Sequence, residues 1–329
     1  AVRAVARAAR RVTMLVAPGQ LPAARLLPGV DDVLGFEAGW VRLDPPPVDG
    51  RAVRRLVRRI RRAQIDTALV LTSYHQSPLP IALLLRMAGV SWVGAVSEDY
   101  PGSLLDLRHR VPDDLPEAER GLSLAEAAGF SADGNGARLA IRRPLPSAPG
   151  WIPTRPYLAG PPGAAVPARR PSTSTSRAVV RALVADGWPV VVTGGAAEVP
   201  LTAEVAAGDA VDAGGRLTLP ELAAVLDGAA VVVAPNTGPS HLAAAVGTPV
   251  VALHAPVVRF AQWGPYGVPT VRLGDQSAPC RMTRARTCPV PGHPCLDTID
   301  PAEVVTAVHS LTGVRPAPPT TVTAGGPRD

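Results

Sequence analysis

The stretch "VVVAPNTGPSHLAAAVGTPVVAL", residues 231–253, decides the fold because it joins two apolar runs through a short polar turn. The first run predicts a buried strand that ends at Ala234, and "TPVVALH" predicts a second strand. A helix is expected to begin around Pro239, since proline suits the first helical position, where its missing N–H would lack a partner anyway. The stretch therefore predicts a strand–helix–strand unit of a parallel sheet.

The turn in this unit carries polar groups that suit an anion. We expect the backbone N–H groups of Gly238, Ser240 and His241 to be free at the positive end of the helix dipole. Thr237 adds a hydroxyl donor, His241 can donate to a phosphate oxygen, and Asn236 can pair with the hydroxyls of a sugar. The alternative is a structural turn, in which Asn236 or Thr237 caps the helix and His241 is satisfied locally.

Similar patterns fill the rest of the chain. In the first half, four apolar runs predict buried parallel strands: Arg11–Pro18, Asp31–Glu37, Asp66–Thr72 and Trp92–Val96. The second half resumes the alternation of strands and helices after a proline-rich stretch. Two such sets predict an α/β protein of two doubly wound, Rossmann-like domains that face a cleft.

Length and composition set the expected domain boundaries. The chain has 329 residues, which exceeds the usual size of one hydrophobic core. We expect an N-terminal domain over residues 1–145, a proline-rich linker and phosphate-loop region over 146–175, a C-terminal domain over 176–315 and a disordered tail over 316–329. The opening sequence "AVRAVARAARR" is helical in pattern from its first residue, so the first strand of the N-terminal domain is expected to be missing.

Composition also narrows the class of protein. Apolar residues make up 47% and charged residues 18% of the chain, which is typical of a globular protein. The formal net charge is +6, and all 33 basic residues are arginine, so the arginine count alone says little about a partner. No apolar run reaches the roughly 18 residues of a membrane span, and no secretory signal pattern is present. These features favour a cytoplasmic protein.

The segment "DGRAVRRLVRRIRRAQ", residues 49–64, predicts an amphipathic helix. Its apolar stripe consists of Val53, Leu56, Val57 and Ile60. The arginines over the remaining surface are Arg51, Arg54, Arg55, Arg58, Arg59 and Arg62. This face fits either the solvated outside of a helix packed on a sheet or contact with a membrane surface.

Four soft side chains lie within 16 residues near the C-terminus: Cys280, Cys288, His293 and Cys295. Zinc prefers such ligands, but the spacings are longer than in a C-x2-C pair. The odd number of cysteines argues against a secreted disulfide framework. Buried thiols or one local disulfide are therefore favoured over a structural metal site.

The sequence "NTGPSHLAAAVGTPVVALHAP" resembles the signature of glycosyltransferase family 9, the ADP-heptose:lipopolysaccharide heptosyltransferases, in which a (D/N)-T-G-x-x-H turn opens a helix. The resemblance continues in "GWPVVVTGGAAEVPLTAEVA" and in "CPVPGHPCLDTIDPAEV". It implies a GT-B fold, with a nucleotide-sugar donor held mainly by the second domain and a glycan or glycolipid acceptor by the first. It implies no cofactor and no nucleic-acid partner, and it is compatible with peripheral contact at the inner face of the membrane.

The resemblance also assigns roles in donor binding. The residues that would bind the donor diphosphate are Thr237, Gly238 and His241. Asn236 would lie near the transferred sugar. Gly194 and Gly195 would end the strand that starts the nucleotide pocket, where Glu198 could accept hydrogen bonds from ribose hydroxyls.

A second loop of the family, H-P-G-A-S-x-P-x-(K/R)-x-W, appears here as "PPGAAVPARRP", residues 161–171. Arg169 takes its cationic position and would neutralise charge on the departing diphosphate. Pro161, Ala165 and Pro171 replace the histidine, serine and tryptophan of the family, so a role as a surface arginine stays open for Arg169.

The resemblance implies an inverting, metal-independent glycosyltransferase that uses ADP-heptose or a similar nucleotide sugar. The general base of the family, an aspartate after the first strand, would lie before Ala1 and is not in this sequence. We therefore expect a donor-binding chain whose transferase activity needs residues outside it, and the alternative is a non-catalytic nucleotide-sugar-binding protein. A dinucleotide-dependent oxidoreductase is disfavoured because no G-x-G-x-x-G follows a predicted strand.

Overall fold

The structure is a computed structural model that describes residues 1–41, 45–131 and 138–313. The chain divides into two compact units, Ala1–Arg143 and a second one that begins at Pro144. Each unit is built from parallel strands and helices, as the alternating apolar pattern predicts.

The first unit contains a two-stranded and a three-stranded parallel sheet. Its strands are β1 (Thr13–Val16), β2 (Asp32–Gly35), β3 (Thr67–Val70), β4 (Trp92–Val96) and β5 (Leu107–His109). Its helices are α1 (Val2–Ala8), α2 (Leu21–Arg25), α3 (Gly50–Arg62), α4 (Leu79–Ala88) and α5 (Glu117–Ala127). One sheet pairs β1 with β2, and the other has the order β3-β4-β5. The four predicted strands are confirmed, whereas β5 was not predicted because Arg108 and His109 leave it without an apolar run.

Helix α3 is amphipathic, as predicted. Asp49 caps its N-terminus, because the Asp49 side chain accepts a hydrogen bond from the N–H of Arg51 at 2.7 Å. Leu56, Val57 and Ile60 are buried in the core that α3 shares with α4. The arginine side chains lie on the opposite face and are exposed.

The second unit contains one six-stranded parallel sheet with helices on both faces. Its strands are β6 (Leu158–Gly160), β7 (Val190–Val192), β8 (Val211–Asp212), β9 (Val231–Pro235), β10 (Val250–Leu253) and β11 (Thr270–Leu273). Its helices are α6 (Thr173–Ala185), α7 (Val199–Ala206), α8 (Leu219–Gly228), α9 (Gly238–Val246), α10 (Phe260–Trp263), α11 (Pro294–Asp297) and α12 (Pro301–Thr312).

The strands of this sheet have the order β11-β10-β9-β6-β7-β8. From β6 the chain builds β7 and β8 on one side, then returns to the other side of β6 to build β9, β10 and β11. The direction of winding therefore reverses between β6 and β9. Ligands of open α/β sheets bind at such a switch point, outside the carboxyl ends of the strands.

Strand β6 lies inside the stretch 146–175, which was expected to be linker and loop. It pairs with β7 and β9, and its residues Leu158 and Ala159 are buried on opposite faces of the sheet. Prolines flank this strand at Pro156 and Pro161 but do not interrupt it, so the ladder keeps its N–H donors. Three residues are too short a run for periodicity to reveal a strand.

Two further expectations concern the C-terminal tail and membrane-spanning helices. The tail expected over residues 316–329 lies outside the described residues. In the ranges that the structure does describe, no helix is both long enough and apolar enough to cross a membrane.

Candidate functional site

The polar turn after β9 opens helix α9 at the switch point. The helix begins at Gly238, one residue before the expected Pro239, and Thr237 is its N-cap. Among the described residues, the Thr237 side chain makes no hydrogen bond that caps the helix, unlike the side-chain-capped turn considered as the alternative. The N–H of Gly238 has no hydrogen-bond acceptor in the part of the chain that the structure describes.

Ser240 differs from the expectation of a free backbone donor. Its N–H donates to the carbonyl of Thr237 at 3.1 Å, and its hydroxyl donates to the same carbonyl at 2.7 Å. Ser240 is buried, so both bonds fix the first turn of the helix from within. Ser240 therefore shapes the turn, and the N–H of Gly238 remains available to a ligand.

Three buried polar atoms around the switch point have no hydrogen-bond partner among the described residues. They are the Nδ2 atom of Asn236 after β9, the hydroxyl of Thr193 after β7, and the Nε atom of Arg169 in the loop after β6. Each unpaired buried group costs roughly 1–3 kcal/mol, so native proteins rarely keep several together without a purpose. These three unpartnered atoms therefore indicate a binding site for a polar ligand at the carboxyl ends of β6, β7 and β9.

Arg169 provides a positive charge at this candidate binding site. It ends a short 3-10 turn, Pro167–Arg169, and is half-buried. Burial lowers the pKa of its guanidinium, and no carboxylate pairs with it in residues 1–41, 45–131 and 138–313. A half-buried cation without a counter-ion favours an anionic ligand.

His241 lies close enough to Arg169 to feel its charge. Burial lowers the pKa of His241 below the ordinary 6.5, and the nearby Arg169 guanidinium lowers it further. The imidazole is therefore neutral at pH 7, with one ring N–H available to donate. The structure thus brings together Arg169 and the 236–241 turn, which lie more than sixty residues apart in sequence.

His254 belongs to the same place but was not singled out in the sequence. It follows β10 directly and lies beside Asn236, since Leu253 pairs in register with Pro235. Its ring is buried, its Nε2 lies 3.1 Å from the carbonyl of Val258, and the Phe260 ring packs edge-on at 5.0 Å. Burial lowers the pKa of His254 to about 4, and nearby cationic side chains add to this effect. The sequence feature that could have identified His254 is its position at the end of the predicted strand "TPVVALH".

Glu198 links two loops at the same edge of the sheet. Its Oε2 accepts the N–H of Gly195 at 2.9 Å, and its Oε1 lies against Gly163 in the loop after β6. A side chain at Gly194 would contact Thr202 and Glu198 at 2.6 and 3.2 Å, so this position needs glycine. Within the described residues, Oε1 of Glu198 accepts no N–H, so this oxygen can accept a hydroxyl.

The cysteines of the 280–295 segment are free thiols. Cys280 and Cys295 are buried, and burial together with the neighbouring cysteines raises the pKa of Cys295 to about 12. His293 instead contacts the carbonyl of Ala168, with its Nε2 at 3.2 Å. Across the described residues, no group of three or more histidine, cysteine or acidic side chains is arranged to hold a metal ion.

Comparisons with known proteins identify the family of the chain. Residues 53–293 match the family model described as glycosyltransferase family 9 (heptosyltransferase). Lipopolysaccharide heptosyltransferase 3 of Escherichia coli is 32% identical over 143 residues, which is 41% of this chain and 40% of that protein. The match thus spans less than half the length of that relative.

Solved structures share the fold. Escherichia coli ADP-heptose lps heptosyltransferase II has a TM-score of 0.67 at 18% identity, covering 94% of this chain and 92% of that one. A glycosyl transferase family 9 structure from Veillonella parvula has a TM-score of 0.69 at 17% identity, covering 94% and 91%. E. coli heptosyltransferase WaaC with ADP has a TM-score of 0.66 at 16% identity, covering 94% and 93%. The predicted GT-B fold class is confirmed.

Proposed function

Because the chain belongs to glycosyltransferase family 9, the heptosyltransferase family, we propose that it transfers a heptose-like sugar from ADP-heptose to a hydroxyl of a cell-envelope glycan or glycolipid. The observation that carries the proposal is the set of unpartnered polar atoms on Asn236, Thr193 and Arg169 at the switch point. Solved structures of WaaC hold ADP and ADP-2-deoxy-2-fluoro heptose, which supports an adenosine diphosphate donor for this chain.

The donor would lie across the carboxyl ends of β6, β7 and β9. We assign the diphosphate to the Arg169 guanidinium, the N–H of Gly238 and the neutral ring of His241, with the Thr237 hydroxyl beside them. Asn236 would donate to hydroxyls of the sugar. The free oxygen of Glu198 would accept from the ribose, beside Gly194 and Gly195.

The transfer step follows from this placement. An acceptor hydroxyl would attack the anomeric carbon from the face opposite the diphosphate, so that the new C–O bond forms with inversion as the C–O bond to phosphate breaks. The proton of the hydroxyl would pass to a general base or to water. The ADP leaving group would carry off the bonding electrons, and Arg169 would stabilise the negative charge that develops. A fixed guanidinium performs this role without a divalent metal.

We assign the donor and the acceptor to different domains. We assign the donor to the C-terminal domain, residues 176–315, together with the loop region 146–175, and the acceptor to the N-terminal domain, residues 1–145. The reaction is placed in the cytoplasm, where nucleotide sugars would be available.

Replacement of Arg169 tests the site. We expect Arg169→Ala to weaken ADP binding, measured by calorimetry, at least tenfold, because it removes the unpaired cation. Arg170→Ala is the matched control and should change the affinity less than twofold. Release of ADP from ADP-heptose, with an acceptor extract and with EDTA present, then tests metal-independent transfer.

Three outcomes would contradict the proposal. Equal affinities for ADP in both arginine variants would remove Arg169 from the site. A melting temperature raised by NADH and not by ADP would favour an oxidoreductase. ADP-heptose that binds but never turns over, even when the chain is extended by the aspartate-bearing loop of the family, would favour the non-catalytic nucleotide-sugar-binding protein.

We also infer that the exposed face of α3 and α4 contacts an anionic membrane. The arginines of α3 cover roughly 160° of its circumference at 100° per residue. Leu83 and Met87 on the neighbouring α4 are 47% and 53% exposed, and the guanidinium of Arg61 donates to the carbonyl of Met87 at 2.8 Å. Cationic side chains next to exposed apolar ones suit lipid headgroups and the acyl chains beneath them.

Vesicle sedimentation tests this contact. The chain should pellet with phosphatidylcholine vesicles that contain phosphatidylglycerol and stay in solution with phosphatidylcholine alone. The triple variant Arg54→Gln, Arg58→Gln, Arg62→Gln should bind at least tenfold more weakly, because each arginine near an anionic surface contributes about 1 kcal/mol. The control removes three exposed arginines of the second unit, Arg181, Arg259 and Arg281, and equal losses in both triples would contradict a surface on α3.

A further inference from the structure

Ala168, the residue before Arg169, is held from two sides by one distant segment. Its N–H donates to the carbonyl of Arg286 at 2.8 Å. Its carbonyl lies 3.2 Å from the Nε2 atom of His293. A carbonyl can only accept, so Nε2 of His293 carries the proton. Ala168 is 1% exposed, so both contacts lie inside the protein.

The far end of the same loop is held by a second side chain of this segment. The N–H of Ser172 donates to Oδ1 of Asp297 at 2.7 Å. The other oxygen of Asp297 lies 3.9 Å from Nδ1 of His293. His293 and Asp297 thus contact both ends of residues 168–172, which contain Arg169.

The backbone of the 280–297 segment suits this role. His293 has a φ of +46°, in the left-handed region, and occupies the N-cap position of α11, which places Asp297 one turn later. Buried Cys280 and Cys295 anchor the segment in the core, and the N–H of Met282 donates to the carbonyl of Pro256 at 2.9 Å. The segment is therefore fixed independently of Arg169.

The side chain of Arg169 has no comparable support. No carboxylate pairs with it in the described ranges, and its Nε is unpartnered. The position of its guanidinium therefore depends on where the backbone of residues 168–172 is held. Preorganised cations bind anions more tightly because less ordering is needed on binding.

We propose that His293 is a positioning residue that, supported by Asp297, holds the Arg169 loop in the geometry that binds the donor diphosphate. The segment that contains Cys280, Cys288, His293 and Cys295, considered above as a possible metal site, would in this way fix the backbone of residues 168–172. This inference rests on the proposed diphosphate contact of Arg169 and adds to it the residues that orient that contact.

A double-mutant cycle with ADP as the probe tests the inference. His293→Asn tolerates the left-handed backbone but is too short to reach the Ala168 carbonyl, whereas His293→Gln keeps an N–H donor near the Nε2 position. We expect His293→Asn to weaken ADP binding at least fivefold and His293→Gln to restore it to within twofold of the parent. In an Arg169→Ala background, His293→Asn should change the affinity less than twofold.

The matched control is His309→Gln, because His309 makes a comparable half-buried contact with Asp186 at 2.6 Å near the other end of α6. It should leave ADP affinity unchanged even if it lowers the melting temperature. If His293→Asn does not fold, Asp297→Asn provides the second variant, since it keeps an acceptor for Ser172 and loses only the charge that faces His293. It should weaken ADP binding at least twofold.

The outcomes distinguish the positioning role of His293 from the diphosphate contact of Arg169. If Arg169→Ala weakens ADP binding but His293→Asn does not, or if the two losses add fully in the double variant, the positioning role is wrong and the diphosphate contact stands. If Arg169→Ala leaves ADP binding unchanged, the diphosphate contact fails and the positioning role fails with it.

Discussion

Thr193 offers a direct test at the scale of one residue, because its buried hydroxyl has no partner among the described residues. Thr193→Val replaces the hydroxyl with a methyl group of the same shape. The free energy of unfolding should rise by about 1 kcal/mol, since a desolvated hydroxyl without a hydrogen bond is removed. Urea unfolding measures this change, and calorimetry should show weaker binding of ADP-heptose to the same variant.

Thr248→Val is the matched control for this prediction. Thr248 is also buried, but its hydroxyl donates to the carbonyl of Leu226 at 2.8 Å. The same substitution should therefore lower the free energy of unfolding by about 1 kcal/mol and leave donor binding unchanged. A loss of stability in Thr193→Val like that in Thr248→Val would mean that Thr193 already has a partner.

His254 makes stability depend on pH. Its pKa is lowered to about 4 in the folded chain from an ordinary 6.5, so the unfolded chain binds the extra proton first as pH falls. Stability from this residue is present above pH 6.5 and is lost as pH falls from 6.5 towards 4, by about 3 kcal/mol in all. Urea unfolding at pH 7.0 and 4.5 should show a smaller loss for His254→Gln than for the parent. An equal loss in both proteins would contradict the assignment.

The residues of the site were predictable from sequence to different degrees. Asn236, Thr237, Gly238 and His241 were predictable because they are consecutive or nearly so, and a strand end followed by a helix start fixes where they lie. Thr193 was not, since its importance comes from lacking a partner, which only the packed structure reveals.

At the scale of elements, the start of α9 is the informative feature. A Cβ atom on Gly238 would have no neighbour within 4 Å, so the folded chain has room for alanine there. Gly238→Ala should raise stability by up to about 1 kcal/mol through helix propensity. It should also weaken ADP binding at least tenfold, because the added methyl group would occupy the space that we assign to the diphosphate.

Gly50→Ala is the control for this prediction, since Gly50 opens helix α3 and its Cβ would meet only the end of the Arg54 side chain, at 3.6 Å. It should stabilise the chain without any effect on ADP. Unchanged ADP affinity in Gly238→Ala would place the ligand elsewhere. Thermal melts and calorimetry on the two variants provide both measurements.

Elements were predictable where one continuous pattern specified them. The unit β9–α9–β10 is contiguous and apolar at both ends, so residues 231–253 predicted it nearly to the residue. Strand β6 was missed because its three residues sit among prolines, although it occupies the middle of the sheet. Its position depends on pairing with β7 and β9, which are distant in sequence.

At the scale of the whole molecule, the residues assigned to the donor all lie after Pro144, in the second unit. A fragment that begins at Pro144 should therefore bind ADP within about threefold of the full chain. Calorimetry on the fragment and on the full chain measures this. A loss of more than tenfold in a fragment that is folded by circular dichroism would mean that the first unit contributes to ADP binding.

The role proposed for the cysteine-rich segment depends on contacts between residues that are far apart in the sequence. His293 and Ala168 lie 125 positions apart, and no local pattern connects them. The sequence places soft ligands close together, a pattern that fits either a metal site or buried thiols. The fold instead brings the segment against the Arg169 loop, a relation that only the assembled second unit creates.

The switch point between β6 and β9 has a consequence for protein engineering. The half-sheet β6–β8 and the half-sheet β9–β11 are each one continuous piece of chain, and the proposed ADP site draws Arg169 and Glu198 from the first and residues 236–241 from the second. A chain cut between Asp212 and Leu219 would give two fragments that meet along the β6–β9 strand pair and through contacts such as those of Ala168 with Arg286 and His293. The nucleotide would bind residues from both fragments. Such a split protein would reassemble in response to ADP, which is the working principle of a complementation biosensor.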